Sequence, residues 1–175
     1  GERTLVLRPM EPSESSSIAL RLLAVLGLVL LNAFFVAAEF ALVGARRTRL
    51  EEMAQRGDKK AVLAQRAQKS LDRYISATQL GITLTSLGLG WIGEPALSGI
   101  IQGGLVWLPG NLEIIASHAL AIALAFTIIT VLHIILGELV PKALALLYPE
   151  RVSAWVAGPL IGFAWVMAIP IAMLN

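Results

Sequence analysis

Apolar residues in this chain fall into long blocks divided by polar segments. From Ile18 to Ala45, 28 residues carry only two charged side chains, Arg21 near the start and Glu39 near the end. At ~1.5 Å per residue, such a helix crosses a hydrocarbon core of roughly 30 Å with some tilt. Tyr74 to Gly90 is a second block without a charged residue, and within a third block Ile114 to Leu136 holds no Lys, Arg, Asp or Glu. Between the first two, Leu50, Met53, Ala54, Ala61, Val62, Leu63, Ala67 and Leu71 form an apolar stripe flanked by Lys and Arg and interrupted at Arg56-Gly57-Asp58. This is one or two amphipathic surface helices, either lying in the headgroup plane or folded as a solvated hairpin. Val152 to Asn175 is again apolar, but Gly158-Pro159, Gly162 and Pro170 divide it into pieces shorter than the ~20 residues of a crossing. Two short helices in the inner leaflet suit it better than a kinked fourth span.

The pattern predicts an all-α integral membrane domain with three transmembrane helices, about 18–45, 74–90 and 112–137. Around them lies a belt of amphipathic juxtamembrane helices, 46–73 and 149–175. Residues 1–17 read as a flexible polar lead, because the apolar run behind them is too long for a signal peptide. The glycine-rich stretch from Trp91 to Gly110 reads as an outer loop, with a short re-entrant or interfacial helix over 96–105. Tyr74, Trp91, Trp107, Trp155 and Trp165 read as interfacial anchors. The chain stops directly after its last apolar region, as expected of the membrane part of a longer protein.

Composition agrees with a lipid bilayer as the solvent. The chain is 57% hydrophobic and 15% charged, against roughly a quarter charged in soluble domains. Nine of its fourteen Lys and Arg fall between Arg46 and Arg73, and none lies between Tyr74 and Pro141. A basic block beside a span marks the cytosolic side, so the amino terminus is expected outside and the carboxy terminus inside. That block lacks interleaved aromatics, so no nucleic-acid partner is expected. The absence of cysteine excludes disulfides, thiolate metal sites and cysteine nucleophiles. No Gly-x-Ser-x-Gly, His-Glu-x-x-His or P-loop occurs, and the chain is not expected to be an enzyme.

Candidate chemistry gathers at Leu136-Gly137-Glu138-Leu139-Val140-Pro141-Lys142. Pro141 cannot donate a backbone hydrogen bond, and its ring clashes with the carbonyl four residues earlier, that of Gly137. A helix break with an unpaired carbonyl is therefore expected beside the Glu138 carboxylate, with Pro141 as a hinge. In lipid both oxygens are costly unless bound, and a desolvated cation is the simplest partner. Asn32, near the middle of the first span, needs partners too: a neighbouring helix or a cation. Ser76, Thr78, Thr83 and other hydroxyls of the second block either pack helices closely or line a polar cavity. Glu39, seven residues after Asn32, either extends an ion path or pairs with a basic residue of the amphipathic segment. His118 and His133 read as packed histidines.

Three stretches in order resemble the transmembrane domain of the CNNM/CorC family of magnesium transport proteins. They are Asn32-Ala33-Phe34-Phe35-Val36-Ala37-Ala38-Glu39-Phe40-Ala41-Leu42-Val43, Ser76-Ala77-Thr78-Gln79-Leu80-Gly81-Ile82-Thr83-Leu84 and Gly137-Glu138-Leu139-Val140-Pro141-Lys142. The resemblance implies a homodimer, cytosolic CBS domains after the membrane part, and magnesium export coupled to sodium entry. It places cation ligands at Glu138, Gly137 and Ser76. Val36 stands where many relatives carry a serine, so a backbone oxygen or Asn32 substitutes there. Hard oxygen ligands select Mg2+, Ca2+ or Mn2+ over softer metals; the choice of Mg2+, with Na+ as coupling ion, rests on the resemblance and on the small number of ligands. The rival expectation is a non-transporting anchor or sensor module that binds a cation to regulate a partner.

Overall fold

Every secondary-structure element in residues 12–105 and 113–174, which the computed structural model describes, is helical. In chain order these are α1 (Pro12–Gly44), α2 (Arg47–Gln55), α3 (Lys59–Lys69), α4 (Leu71–Leu105) and α5 (Glu113–Leu132). A π-helical segment (His133–Leu139), α6 (Val140–Leu147), α7 (Pro149–Val166) and α8 (Ala168–Leu174) complete the chain.

Two segments, Ser17–Gly44 and Ala119–Leu147, are long and apolar enough to cross a membrane. Only 22% and 17% of their most apolar stretches are buried inside the protein, so they are not core helices of a soluble fold. Leu20, Leu23, Leu30, Phe126 and Leu147 face outward along them. Such a contiguous apolar surface is incompatible with water as the only solvent, and the chain is a membrane protein.

The two segments end at the same level. A Cβ built on Gly44 would touch Pro149 Cβ at 3.5 Å, and Arg46 pairs with Glu150 across the same end. α4 runs antiparallel to α1: Gln68, just before α4, reaches Leu42 O, Gly81 faces Phe35, and Thr85 meets Asn32. Leu89 packs with Val25 and Val29 nearer the other end.

Local chemistry sets the helix limits at the basic end. Gly57 adopts φ 93° between α2 and α3, a left-handed conformation that suits glycine. Asp58 then caps α3, accepting from the Lys60 and Ala61 amides at 2.9 and 3.3 Å. Leu50 and Ala61 of the stripe, together with Ala64, are buried against Ala45 and Ala157. Gln68 donates to the carbonyls of Leu42 (3.0 Å) and Ala45 (2.7 Å), satisfying the end of α1.

Several limits differ from those read in the sequence. Pro12 to Ser17, assigned to the lead, belong to α1; residues 1–11 lie outside the described residues. The second block does not end at Gly90, because α4 continues through Pro95 to Leu105. Pro95 is tolerated where Ala96 packs beside Val25, Val29 and Ile129, and neighbouring helices often re-satisfy a proline's freed carbonyl in membranes. Residues 106–112, including Trp107 and the start of the third block, lie outside the described residues. No break falls at Pro141, which sits in the first turn of α6; the preceding turns widen into the π segment instead. The last apolar region divides at Met167, and Pro159 lies inside α7.

Candidate functional site

Asn32 is 2% exposed, a buried amide at the centre of the three longest helical runs. Its Nδ2 donates to the carbonyl oxygen of Gly137 at 3.0 Å and lies 3.3 Å from His133 Nε2. Its Oδ1 lies 2.8 Å from Thr85 Oγ1 and 3.5 Å from Ser86 Oγ. The Thr85 hydroxyl also reaches Gly81 O at 2.9 Å, and its single proton serves one acceptor at a time. One amide thus ties α1 to α4 and to the π segment.

The contact depends on backbone features of the sequence. Pro141 lacks an N–H, and the ladder before it shifts so that the Val140 amide reaches Ile135 O. The Gly137 oxygen turns to α1 instead. A Cβ on Gly137 would sit 3.4 Å from both Asn32 Nδ2 and His133 Cδ2, an ordinary van der Waals distance, so the site packs closely without excluding a methyl group. π segments occur frequently at functional sites.

Glu138 follows Gly137 but faces outward. It lines a cavity of about 460 Å³ between α4 and α5, shared with Ser86, Glu94, Thr130 and His133. Two carboxylates therefore open on one cavity whose wall includes two direct neighbours of Asn32. Among the described residues no three His, Asp or Glu side chains converge closely enough to hold a metal by themselves. A hard cation entering the cavity would need backbone and amide oxygens as well as Glu138.

Ser76, Thr78 and Glu39 lie in a separate layer nearer the basic end, whereas Thr83 is two residues from Thr85 on α4. Ser76 lies nine residues before Thr85 on α4, about 13 Å along the axis. Its Oγ donates to Asp72 O at 3.0 Å. Gln79, one turn on, hydrogen-bonds the half-buried Glu39 carboxylate. Thr83 and Thr78 donate to Gln79 O (2.9 Å) and Ile75 O (2.7 Å) of their own helix. Among the described residues Glu39 forms no ion pair. Lys142 Nζ stands 4.5 Å from the centre of the Phe40 ring.

Asn32, Gly137 and Glu138 are thus adjacent, and Ser76 with Glu39 lies a level below. Thr85, Ser86, His133 and Glu94 were not chosen from the sequence. The hydroxyls carried a signal in the polar character of the second block. Glu94 carried none, because its helix was read as a loop.

The family described as CNNM, the Cyclin M transmembrane N-terminal domain, matches residues 22–175. UPF0053 protein YhdT of Bacillus subtilis is 47% identical over 133 residues, covering 76% of this chain and 28% of the relative. UPF0053 protein YugS of the same organism is 42% identical over 144 residues, or 82% of this chain and 33% of the relative. UPF0053 protein sll0260 of Synechocystis is 39% identical over 145 residues, covering 82% and 32%. The chain spans about a third of the length of these relatives. With its three motifs carried on α1, on α4 and across the junction of the π segment with α6, the chain belongs to the CNNM transmembrane domain family.

Proposed function

We propose that this chain is the membrane domain of a divalent-cation transporter whose cargo is magnesium, exported against sodium entry. The observation that carries the reading is the Asn32 to Gly137 O bond at 3.0 Å, next to the cavity-facing Glu138 carboxylate. Without a cation, the amide hydrogens provide the positive partial charge that the freed carbonyl needs. When magnesium enters, it replaces them. The amide then turns its Oδ1 toward the ion, so Asn32, Gly137 O and Glu138 supply hard oxygens together, and retained waters complete the shell. Ser76 and Glu39 form the next station toward the cytosol, with Thr78 and Thr83 on the same helix. The widened turn before Pro141 is where the helix bends during alternating access.

On this reading α4 is the third crossing. It is 35 residues long, about 52 Å at 1.5 Å per residue. Thr78, Thr83 and Thr85 each reach a carbonyl of α4 itself, which lowers the cost of hydroxyls in lipid. The amino terminus lies outside and the carboxy terminus in the cytosol, with α2, α3, α7 and α8 as the inner belt. Two copies form a symmetric dimer that encloses the polar path, CBS domains of the longer protein regulate it, and no chemical bond is made or broken.

Isothermal titration of the purified chain tests the cargo. Magnesium should bind in sodium buffer, and Asn32→Leu should weaken that binding at least tenfold. Tight zinc binding with none for magnesium would contradict the reading.

A further inference from the structure

A second polar cavity, of about 430 Å³, lies at the basic end between the close of α2 and the junction of α6 with α7. Arg49, Glu52, Arg56, Tyr148, Glu150 and Arg151 contribute to its wall. Two of the local carboxylates are already engaged, Glu52 by Arg49 at 2.9 Å and Glu150 by Arg46 at 3.2 Å. That leaves Arg56 and Arg151, both exposed and on different helices, without a carboxylate partner among the described residues. Two uncompensated guanidinium groups facing one cavity make a strong attractor for a phosphate, since each can offer a planar pair of donors. The amino-terminal end of α7 also lies here, with Glu150 in its first turn offsetting its positive potential, so the two free arginines carry the attraction.

The position narrows the source of the phosphate. The apolar segment Ala119–Leu147 ends at this cavity, so its mouth lies where hydrocarbon gives way to headgroups. Exposed Leu146 and Leu147 adjoin Tyr148, giving an acyl chain an apolar surface directly beside the charged pocket. We infer that Arg56 and Arg151 hold the phosphate of an anionic phospholipid from the inner leaflet. The lipid bridges α2 to the α6–α7 junction, and so couples the basic helices to the segment that carries Glu138. The inference is independent of magnesium transport, because none of its groups belongs to the Asn32 site.

Native mass spectrometry of the chain in neutral detergent, titrated with phosphatidylglycerol or phosphatidylcholine, tests it. Phosphatidylglycerol should give a retained adduct at concentrations where phosphatidylcholine gives none. Arg56→Gln/Arg151→Gln should weaken the adduct on the order of twenty-fold, from two lost contacts to an anionic headgroup. Arg47→Gln/Lys69→Gln removes the same charge from a different cavity and should leave the adduct intact. An unchanged adduct in the first variant, or an equal loss in both, would overturn the inference. Displacement of the lipid by millimolar inorganic phosphate would do so too, marking a site for soluble phosphate.

Discussion

Asn32 on α1 donates to the backbone oxygen of Gly137 at 3.0 Å, across 105 residues of sequence. The bond joins an amide that lipid cannot solvate to a carbonyl that Pro141 leaves without its helical donor. Each group explains the other's placement.

Replacing Asn32 should therefore cost stability as well as cation binding. Asn32→Leu leaves Gly137 O buried without a donor, a loss of ~1–3 kcal/mol in water-based proteins. Polar contacts in membranes average only ~0.6 kcal/mol by double-mutant cycles, so the lower end applies. Denaturation in mixed micelles should show a destabilisation of about 1 kcal/mol.

Close packing requires glycine at Gly81. A Cβ there would lie 2.6 Å from three atoms of the Phe35 ring. The ring cannot retreat freely, since it rests against Phe163 with centroids 4.7 Å apart. Gly81→Ala should cost roughly 1–3 kcal/mol through this overpacking. A thermal scan in detergent should show a lower midpoint, and Gly81→Ala with Phe35→Leu should recover part of it.

Much of this was legible in the sequence and some was not. The freed carbonyl follows from Pro141 four residues after Gly137, and the need for a partner follows from an amide inside an apolar block. Pairing the two required the third dimension. The break expected at Pro141 is absent because a π turn absorbs the missing donor with less disruption than a gap in the helix. α4 passed Gly90 because the penalties of glycine and proline are local, whereas Leu89 and Ala96 pack on both sides of them. Ser76 falls on a level of its own because helix rise separates it from Thr85.

Acid should loosen the basic end of the fold. Burial pushes the Glu150 carboxyl up, but hydrogen bonds from its own backbone and from Arg46, with the Arg46 charge, hold it below the usual range. A depressed folded pKa contributes stability that is complete above the unfolded value of about 4.3 and is lost as pH falls through the folded one. The Arg46 side chain is 76% exposed, so the pair contributes under ~1 kcal/mol. Between about pH 5 and pH 3, the midpoint of the unaltered chain should fall more steeply than that of Glu150→Gln.

Neutralising Glu138 bears most directly on magnesium transport. Glu138→Gln keeps the size of the side chain, removes its charge and leaves the Asn32 contact with Gly137 untouched. In proteoliposomes with a sodium gradient, the unaltered chain should move magnesium. Glu138→Gln should lower that flux at least a hundredfold, with an unchanged thermal midpoint. Magnesium flux in Glu138→Gln equal to that of the unaltered chain would contradict a cation path through this site.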